Sequence, residues 1–441
     1  MNEFDVVVLG GSLSGTSAAL RAAELGGKVG LVENKLIGEK GFMRRNLLLT
    51  ERRSSIDFEP VSWVHQTEMQ NALAGIYCKK IEKKLSETGI VVLNGEGNLA
   101  GPKEILVQNS GGSQIIMGKS LILAYGSEPS FSSTLPQEDN VIISIDEIPL
   151  LKEIPEKVLV IGGGTSGSQA ALGFQELGCK VFLCTSSEEI FPEMDPEFNS
   201  KIEAQLKKRK IKILHSKKII SFYKNGADLE ITLETGIKFT THLIVLMDER
   251  KGCPPNKDAK NMGIRLGAKD EILVDDRMMT SLPGVYGVGS ISGKLLSDAM
   301  SQEQGRVAAE NAMGKKRQLN CEWVPEISRL IQNAGYVGCS MKTAPHQGFH
   351  PIEGISEHEI YWEGDATTVE TFKIVADKRS KMIVGAQIIS NHAAELIPMI
   401  LLLIKKGVTV GNLANSVSSE MTRFQGICMA ARACLQAIKS Q

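Results

Sequence analysis

Two glycine-rich turns, each placed between a strand and a helix, constrain the fold of this chain more than any other feature. They lie in "FDVVVLGGSLSG", from residue 4, and in "KVLVIGGGTSG", from residue 157. Each apolar run is typical of a parallel strand buried on both faces, and the small residues after the turn predict a helix. The runs "KVGLVE" and "CKVFLCT" predict the next strand of each segment. Two such βαβ units predict two nucleotide-binding domains.

The glycine spacing of these turns has a physical reason. The first glycine allows the tight turn, the second lets a pyrophosphate approach the backbone, and the third lets helix and strand pack. The second turn has all three, Gly162, Gly164 and Gly167, whereas the first has Gly10 and Gly15 with Ser12 between them. The small hydroxyl side chain is expected to weaken phosphate binding without abolishing it. A packing turn without a ligand stays open as the alternative for the first unit.

The residue that ends the second strand of such a unit contacts the ribose of the dinucleotide. Glu33 ends that strand in the first unit, where a carboxylate accepts ribose hydroxyls. Thr185 takes the equivalent position in the second unit and is followed by Ser186 and Ser187. Since neither an acid nor an arginine stands there, the choice between NAD and NADP stays open.

The bulk composition excludes several classes of protein. The 441 residues are 42% apolar and 23% charged, with a formal net charge of −1, which argues against a broad nucleic-acid surface. The basic clusters Lys79–Lys84 and Lys207–Lys210 are predicted to be solvated helix faces. No apolar run approaches the length of a membrane helix, and the amino terminus does not read as a secretory signal. We therefore expect a cytoplasmic protein without nucleic-acid or membrane partners.

The eight cysteines do not form a disulfide pattern. Cys179 and Cys184 lie too far apart on a predicted strand, and Cys428 and Cys434 too far apart on a predicted helix. All eight are therefore predicted to be single buried thiols. His346, His350 and His358 fit no metal-ligand spacing, so we assign no metal and expect surface or interface histidines.

The order of the motifs resembles that of the class I pyridine nucleotide-disulfide oxidoreductases, such as dihydrolipoamide dehydrogenase and mercuric reductase. The resemblance spans nearly the whole chain and rests on "VVVLGGSLSG", "VGLVE", "LILAYGSEP", "VLVIGGGTSG", "IFPEMDPEF", "GCPPN", "LPGVYGVGS", "EQGRVAAENAMG" and "IVGAQIISNHAAELI". From about residue 318 the pattern changes to alternating strands followed by helices at roughly 392–406 and 419–438, which predicts an α+β tail.

The resemblance implies an α/β fold with two Rossmann-like domains, for FAD and for NAD(P), and a C-terminal α+β dimerisation domain. The expected segments are residues 1–148 and 251–317 for the FAD domain, 149–250 for the NAD(P) domain and 318–441 for dimerisation. It also implies a homodimer in which each active site takes residues from both subunits.

The family's redox disulfide is missing from this sequence. In the family two cysteines follow the Glu-ended strand, and their positions fall here on Ile37 and Phe42. The family's lysine that follows them falls on Asn46, and its glutamate partner falls on Gln169. Loss of both charges is coherent, because a single buried charge costs several kcal/mol. Asn46 and Gln169 are expected to form a neutral amide hydrogen bond in place of the ion pair.

Other family positions have also changed. The proton-handling histidine of the His-Pro motif falls on Asn415, and the proline on Ser416. An amide is no acid–base group near neutral pH. Glu420 is retained, and a cap or first-turn role in the last helix is favoured over a catalytic one. On the flavin side, Ala124-Tyr125-Gly126 replaces Ala-Thr-Gly, and Ser290 replaces the aspartate that holds the ribityl chain.

Three functions fit these residues. The first is an FAD-dependent NAD(P)H oxidoreductase that passes electrons from flavin directly to an unknown acceptor, such as a quinone, a dye-like compound or a second nicotinamide. The second is a non-catalytic dimeric relative, and the third is a flavin relay subunit of an electron-transfer complex. The intact Gly162-Gly164-Gly167 turn favours the first. Thiol–disulfide chemistry is excluded by the missing thiolate.

Overall fold

The computed structural model describes residues 2–46, 63–138, 140–226, 228–247, 250–253, 262–293, 297–360 and 368–440. The strands, in chain order, are β1 Asn2–Leu9, β2 Val29–Glu33, β3 Val91–Asn94, β4 Glu96–Gly101, β5 Glu104–Asn109, β6 Gly112–Leu123, β7 Ser127–Pro129, β8 Ile142–Ser144, β9 Lys157–Ile161, β10 Lys180–Cys184, β11 Lys212–Leu214, β12 Ile219–Asn225, β13 Asp228–Leu233, β14 Lys238–Thr241, β15 Leu243–Leu246, β16 Arg250–Gly252, β17 Val285–Gly287, β18 Glu326–Ser328, β19 Ala334–Gly338, β20 Pro351–Ile360, β21 Thr368–Asp377 and β22 Ile383–Ile389. The helices are α1 Leu13–Glu24, α2 Glu39–Asn46, α3 Trp63–Glu87, α4 Gly164–Glu176, α5 Pro196–Lys208, α6 Asp298–Ala312, α7 Ala393–Lys405, α8 Val410–Ala414 and α9 Arg423–Lys439.

The chain divides into two compact units. The first contains Met1–Gly162, Gly173–Val181 and Lys217–Asn320, and the second contains Gly163–Leu172, Phe182–Ser216 and Cys321–Gln441. Both βαβ units predicted from the sequence are present, as β1-α1-β2 and β9-α4-β10. The finer division into FAD, NAD(P) and dimerisation segments stays a prediction.

The main sheet of the first unit has the strand order β3-β2-β1-β6-β5-β4, and β17 also pairs with β6. Strand β1 pairs in parallel with both β2 and β6. Because side chains alternate along a strand, Val6 and Val8 join one hydrophobic cluster, whereas Val7 and Leu9 join the other. The predicted burial of this strand on both faces is therefore confirmed.

Glycines allow helix α1 to pack closely against its neighbours. A methyl group added at Gly15 would lie 2.0 Å from the carbonyl oxygen of Gly10, and one added at Gly305 would lie 2.3 Å from that of Ser14. The contact through Gly305 brings α6 against the amino-terminal turn of α1. The third glycine of the first motif therefore has the packing role expected of it.

Smaller sheets complete the first unit. Strand β15 pairs in parallel with β8 and with β9, so the predicted parallel pattern extends to this part of the chain. Strands β12, β13 and β14 form an antiparallel sheet, and β7 pairs with β16. The predicted strand "SLILAYGSEP" is divided into the end of β6 and the short β7.

The second unit contains an antiparallel sheet in the order β18-β19-β22-β21-β20 and, beside it, α7, α8 and α9. Helix α9 packs so closely on β20 that a methyl group at Gly354 would lie 2.2 Å from the carbonyl oxygen of Ala430. The predicted α+β tail is confirmed. The last helix begins at Arg423 rather than at 419, because Thr422 caps it by accepting a hydrogen bond from the N–H of Gln425.

The surface residues agree with the sequence analysis in part. The two lysine clusters are exposed, as expected of solvated helix faces. The prediction that all eight cysteines are buried is wrong for Cys321, which is exposed, and for Cys253, which is half-buried. Within the described residues, no helix combines the length and the apolar character needed to cross a bilayer.

Candidate functional site

The first glycine turn is closed by backbone contacts that only glycine allows. Gly10 has a φ of +110°, and a methyl group there would lie 2.5 Å from the carbonyl oxygen of Ala124. The N–H of Gly10 donates to the carbonyl of Val32 at 2.9 Å, and that of Ala124 donates to Leu9 at 2.8 Å. The turn is therefore fixed to the carboxyl ends of β2 and β6, which is where open parallel sheets bind ligands.

Ser12, which replaces the middle glycine, is the N-cap of α1. Its hydroxyl accepts a hydrogen bond from the N–H of Gly15 at 3.3 Å and lies 3.0 Å from the hydroxyl of Ser14. The side chain thus satisfies one of the unpaired donors at the helix end. The expected direct bond from Ser12 to a phosphate stays a prediction.

The carboxylate of Glu33 lies directly beside this turn. One oxygen accepts the N–H of Gly11 at 2.7 Å, and the other accepts those of Asn34 at 2.8 Å and Lys35 at 3.0 Å. An ionised carboxylate has about four acceptor positions, so one remains for a ribose hydroxyl. The closed glycine turn and this remaining acceptor fit the adenosine half of a dinucleotide.

The candidate flavin residues that follow β6 and those that follow β17 lie together. Gly126 has a φ of +84°, and a methyl group there would lie 3.4 Å from Oγ of Ser290. The structure thus brings Ala124, Gly126 and Ser290 to the same edge of the sheet as Gly10. Tyr125 donates its hydroxyl to the carbonyl of Gly97 on β4 at 2.5 Å. Burial, with the negative charges of Glu96 and Glu33, raises the pKa of Tyr125, so the phenol stays neutral.

Apolar side chains stand at the family's disulfide positions, one just before helix α2 and one on it. Ile37, just before it, is 2% exposed and belongs to the core cluster beneath β1 and β2. The ring of Phe42 packs against that of Tyr77 with centroids 4.9 Å apart. The amide nitrogen of Asn46 donates to the carbonyl of Phe42 at 2.8 Å, so it has a partner within its own helix. The expected bond between Asn46 and Gln169 stays a prediction.

Two parts of the sequence motifs cannot be placed. Residues 47–53, which continue the segment after α2, lie outside the described residues, as do Pro254 to Asn256 of "GCPPN". The described part of that motif contains Gly252, where a methyl group would lie 2.1 Å from the carbonyl oxygen of Asp270. Glycine is therefore required at this position for packing.

Helix α2 also carries two cations that the sequence analysis did not identify. Lys40 and Arg44 both contact Asp146, in the turn after β8, and Arg250 contacts the same carboxylate. Burial alone raises the pKa of Asp146, but the hydrogen bond and charge of Arg44, with the charges of Arg250 and Lys40, lower it below its usual range. These residues are distant in sequence and share no local spacing, so no pattern links them.

The second glycine turn leads directly into α4. Gly162 and Gly164 have φ values of +125° and +60°, and a methyl group at Gly164 would meet nothing within 4 Å. The turn therefore has open space on the side of its second glycine, which fits the approach of a pyrophosphate. The N–H of Gly164 donates to the carbonyl of Ile190 at 2.8 Å, and the N–H of Gly167 donates to the carbonyl of Gly163 at 3.2 Å.

Thr185, at the ribose position of the second motif, is 1% exposed. Its hydroxyl donates to the carbonyl of Ser187 at 2.7 Å, so the side chain organises its own loop. The loop also holds Glu189, whose carboxylate pairs with Lys342 at 2.7 Å. These contacts leave the choice between NAD and NADP open, as in the sequence.

The family's histidine segment lies in the second unit. Asn415 is the C-cap of α8, and its amide nitrogen donates to the carbonyl of Gly411 at 2.9 Å. Ser416 bonds the carbonyl of Asn412 at 3.0 Å. Glu420 is exposed and lies before the cap of α9, whose first turn has no acidic residue. The expected cap or first-turn role of Glu420 is therefore wrong, because Thr422 caps α9 and Glu420 lies two residues before that cap, outside the helix.

Three carboxylates of the second unit, Asp195, Glu197 and Glu353, lie close enough to share a metal ion. The ammonium of Lys373 lies among them, 2.7 Å from Asp195 and 2.5 Å from Glu353, and it also contacts Glu197. The ammonium of Lys373 thus takes the place that a metal ion would have, and we assign the cluster a structural role. His346 and His350 are exposed and His358 is half-buried, in line with surface or interface positions.

Comparison with known proteins places this geometry in a family. The model for pyridine nucleotide-disulphide oxidoreductases matches residues 4–313, and the model for their dimerisation domain matches residues 332–423. The chain is 25% identical to dihydrolipoyl dehydrogenase of Vibrio parahaemolyticus, covering 97% of this chain and 94% of that protein. It is 23% identical to mercuric reductase of Staphylococcus aureus, covering 97% and 82%.

Solved structures support the same fold. The structure of LpdA from Mycobacterium tuberculosis matches with a TM-score of 0.83 at 20% identity, covering 98% of this chain and 99% of that one. The predicted α/β fold and the predicted resemblance are confirmed, and the dimerisation-domain match supports a homodimer. The chain therefore belongs to the pyridine nucleotide-disulphide oxidoreductases, a family of FAD- and NAD(P)-dependent flavoproteins with two Rossmann-like domains and a C-terminal dimerisation domain.

Proposed function

We propose that this protein is an FAD-dependent NAD(P)H oxidoreductase that passes electrons from the flavin directly to an acceptor, without an active-site disulfide. One observation carries the proposal. The dinucleotide cradle around Gly10 and Glu33 is retained, while Ile37 and Phe42 occupy the disulfide positions as packed apolar side chains. These contacts support a site that keeps the cofactor-binding half of the family site and lacks its thiol half.

The residues of the first unit have separate roles in this proposal. Glu33 would accept a ribose hydroxyl, Gly10 and the start of α1 would face the pyrophosphate, and Ser290 beside Gly126 would hydrogen-bond the ribityl chain. Bound FAD supplies a two-electron hydride acceptor. The second glycine turn, Gly162, Gly164 and Gly167, would hold NAD(P).

The state of the thiols supports a route that does not use them. Desolvation by the surrounding protein is the first cause that raises the pKa of every cysteine thiol in the chain. A thiol with a raised pKa is a weak nucleophile, because the thiolate is the reactive form. Asn415 likewise has no acid–base function near neutral pH. Neither the thiolate nucleophile nor the acid–base group of the family's thiol chemistry therefore has a candidate residue.

The wider assignment follows the family layout. We propose that residues 1–148 and 251–317 form the FAD domain, 149–250 the NAD(P) domain and 318–441 the dimerisation domain of a cytoplasmic homodimer. The acceptor is a small molecule or a protein that reaches the flavin beside α2. Phe42 and Tyr77 give this region an aromatic lining, which suits an apolar, planar acceptor.

Anaerobic reductive titration tests the proposal. A protein with flavin and no redox disulfide takes up two electrons per flavin, whereas a family member with the disulfide takes up four. We expect the yellow protein to bleach with NADH or NADPH, to reach full reduction at two electrons per flavin and to keep its activity after thiol alkylation. Uptake of four electrons, or loss of activity on alkylation, would refute the disulfide-free route.

A non-catalytic relative is the second candidate function. It is favoured by Glu33, whose carboxylate already accepts three backbone N–H groups, and by Ser12, whose hydroxyl is used as a helix cap. In that case the protein would stay colourless after incubation with excess FAD and passage through a desalting column. If the protein retains stoichiometric flavin, bleaching of that flavin by NADH or NADPH would exclude a non-catalytic relative that keeps FAD.

A further inference from the structure

Asp146 is the common partner of three cations in the first unit. Both guanidinium nitrogens of Arg44 that face it, Nε and Nη2, donate to its carboxylate, the second at 2.6 Å. The ammonium of Lys40, on the same helix α2, lies 3.1 Å from the carboxylate of Asp146. A guanidinium nitrogen of Arg250, on β16, also lies 3.1 Å from that carboxylate. One carboxylate therefore joins two segments that are more than 200 positions apart in the sequence.

Two of the three cations are buried with the single carboxylate, and the third, Lys40, is 57% exposed. The side chain of Arg250 is 1% exposed, that of Asp146 11% and that of Arg44 14%. Burial is the first cause that lowers the pKa of Arg250, and the nearby positive charge of Arg44 lowers it further. Without the carboxylate, Arg44 and Arg250 would repel each other in a region with little water to screen them.

Both joined segments adjoin the candidate flavin residues. Arg250 donates to the hydroxyl and to the carbonyl of Ser127, each at 2.6 Å, and Ser127 directly follows Gly126. Arg44 lies two residues after Phe42, at the second of the family's disulfide positions. Asp146 is therefore connected through Arg250 to the Gly126–Ser127 turn, and through Arg44 to helix α2.

We propose that Asp146 is a positioning residue that fixes helix α2 and the Gly126–Ser127 turn relative to each other. The neutral Asn46 leaves α2 without the ion pair expected of the family, and the bonds of Lys40 and Arg44 to Asp146 hold the helix instead. The inference rests on the proposed function only in assigning these two segments to the flavin site.

Amide hydrogen exchange of the full chain, before FAD is added, tests the positioning directly. Asp146→Asn keeps the shape and removes the charge, so we expect exchange at least tenfold faster in Glu39–Asn46 and around Ser127, with no change in β20–β22. Asp146→Glu keeps the negative charge, so exchange in these segments should be as slow as in the wild type. In Arg44→Met/Asp146→Asn the repulsion is smaller, so exchange should be slower than in Asp146→Asn alone. Exchange like the wild type in both segments, or faster exchange throughout the chain, would overturn the inference.

The midpoint potential of bound flavin gives a readout that a purely structural role would not move in this way. Asp146→Asn removes a negative charge and should raise the potential, whereas Arg44→Met removes a positive charge and should lower it. Loosening alone would shift both variants in the same direction, and that result would overturn the assignment to the flavin site. If the wild-type chain binds no flavin, the proposed function fails, while the exchange experiment still decides whether Asp146 positions the two segments.

Discussion

The backbone N–H of Gly11 donates to the carboxylate of Glu33 at 2.7 Å, which ties the first glycine turn to the end of strand β2. The same carboxylate also holds the chain beyond the strand through Asn34 and Lys35. Glu33 therefore has two functions in one side chain. It organises the turn, and it offers a remaining acceptor position beside the expected adenosine.

Replacement of Glu33 by glutamine tests this double role. The amide keeps one acceptor oxygen but loses the charge, and hydrogen bonds to charged groups contribute about 1.5–3 kcal/mol. We expect Glu33→Gln to weaken FAD binding by about 10- to 100-fold, measured by flavin fluorescence on titration. The matched control is Glu24→Gln, whose half-exposed carboxylate pairs with Arg21 and lies at the far end of α1. Equal affinity of Glu33→Gln and the wild type would contradict the assignment.

Gly15 is expected to tolerate no side chain. A methyl group there would lie 2.0 Å from the carbonyl oxygen of Gly10, so Gly15→Ala must push α1 away from the turn. We expect a loss of about 1–3 kcal/mol of unfolding free energy and of FAD retention. Thermal denaturation and the flavin content of the purified protein measure both.

Gly75 provides the control for that substitution. It lies inside α3, and a methyl group there would meet nothing within 4 Å. Gly75→Ala should therefore stabilise the protein by about 0.5–1 kcal/mol through helix propensity, with unchanged flavin content. If both alanine variants behave alike, close packing at Gly15 is not what selects glycine.

The parts of the fold that follow from local pattern could be predicted from the sequence. The apolar run of β1, the glycine turn after it and Glu33 at the end of β2 lie where the sequence places them, because alternation, turn geometry and strand ends are local properties. The predicted start of the last helix, at 419, was less accurate than these. The polar run before Thr422 resembles a first turn, and only the capping bond shows where the helix begins.

The ion clusters could not be predicted. Asp146 and Lys373 each gather charged partners from distant segments, and a charge on an isolated stretch of sequence is as consistent with a solvated surface as with a buried pair. Lys373 in "ETFKIVAD" has only one sequence signal, a cation within an otherwise apolar strand. Asn46 shows the converse. The sequence shows that asparagine replaces the family lysine at this position, but it does not predict the hydrogen bond of Asn46 within its own helix.

Removal of Lys373 is expected to be costly for the second unit. Its ammonium and the carboxylate of Asp195 are both 1% exposed, and the second oxygen of Asp195 has no hydrogen-bond partner among the described residues. Lys373→Met leaves that buried charge without its cation, so we expect a loss of about 3–5 kcal/mol in urea denaturation. Lys201→Met breaks the exposed pair with Glu357 and should cost at most about 1 kcal/mol. Equal costs would mean that burial does not decide the strength of these pairs.

The last prediction concerns pH and Asp377, at the turn between β21 and β22. Its carboxylate accepts the N–H of His350 at 2.9 Å, the N–H of Ser380 at 2.8 Å and the hydroxyl of Ser380 at 2.7 Å. Burial alone raises the pKa of Asp377, but these hydrogen bonds outweigh it and lower the pKa from 3.8 to about 2.

Because the folded pKa of Asp377 is the lower one, its contribution to stability is fully present above pH 3.8 and is lost as the pH falls through about 2. The contribution is about 2.5 kcal/mol, since each pKa unit corresponds to about 1.4 kcal/mol. Asp377→Asn should therefore unfold more easily than the wild type by about that amount at neutral pH, and the difference should shrink as the pH falls from about 4 towards 2. Urea denaturation across this range measures it, and a difference that stays constant with pH would show that the ionised carboxylate does not hold the turn.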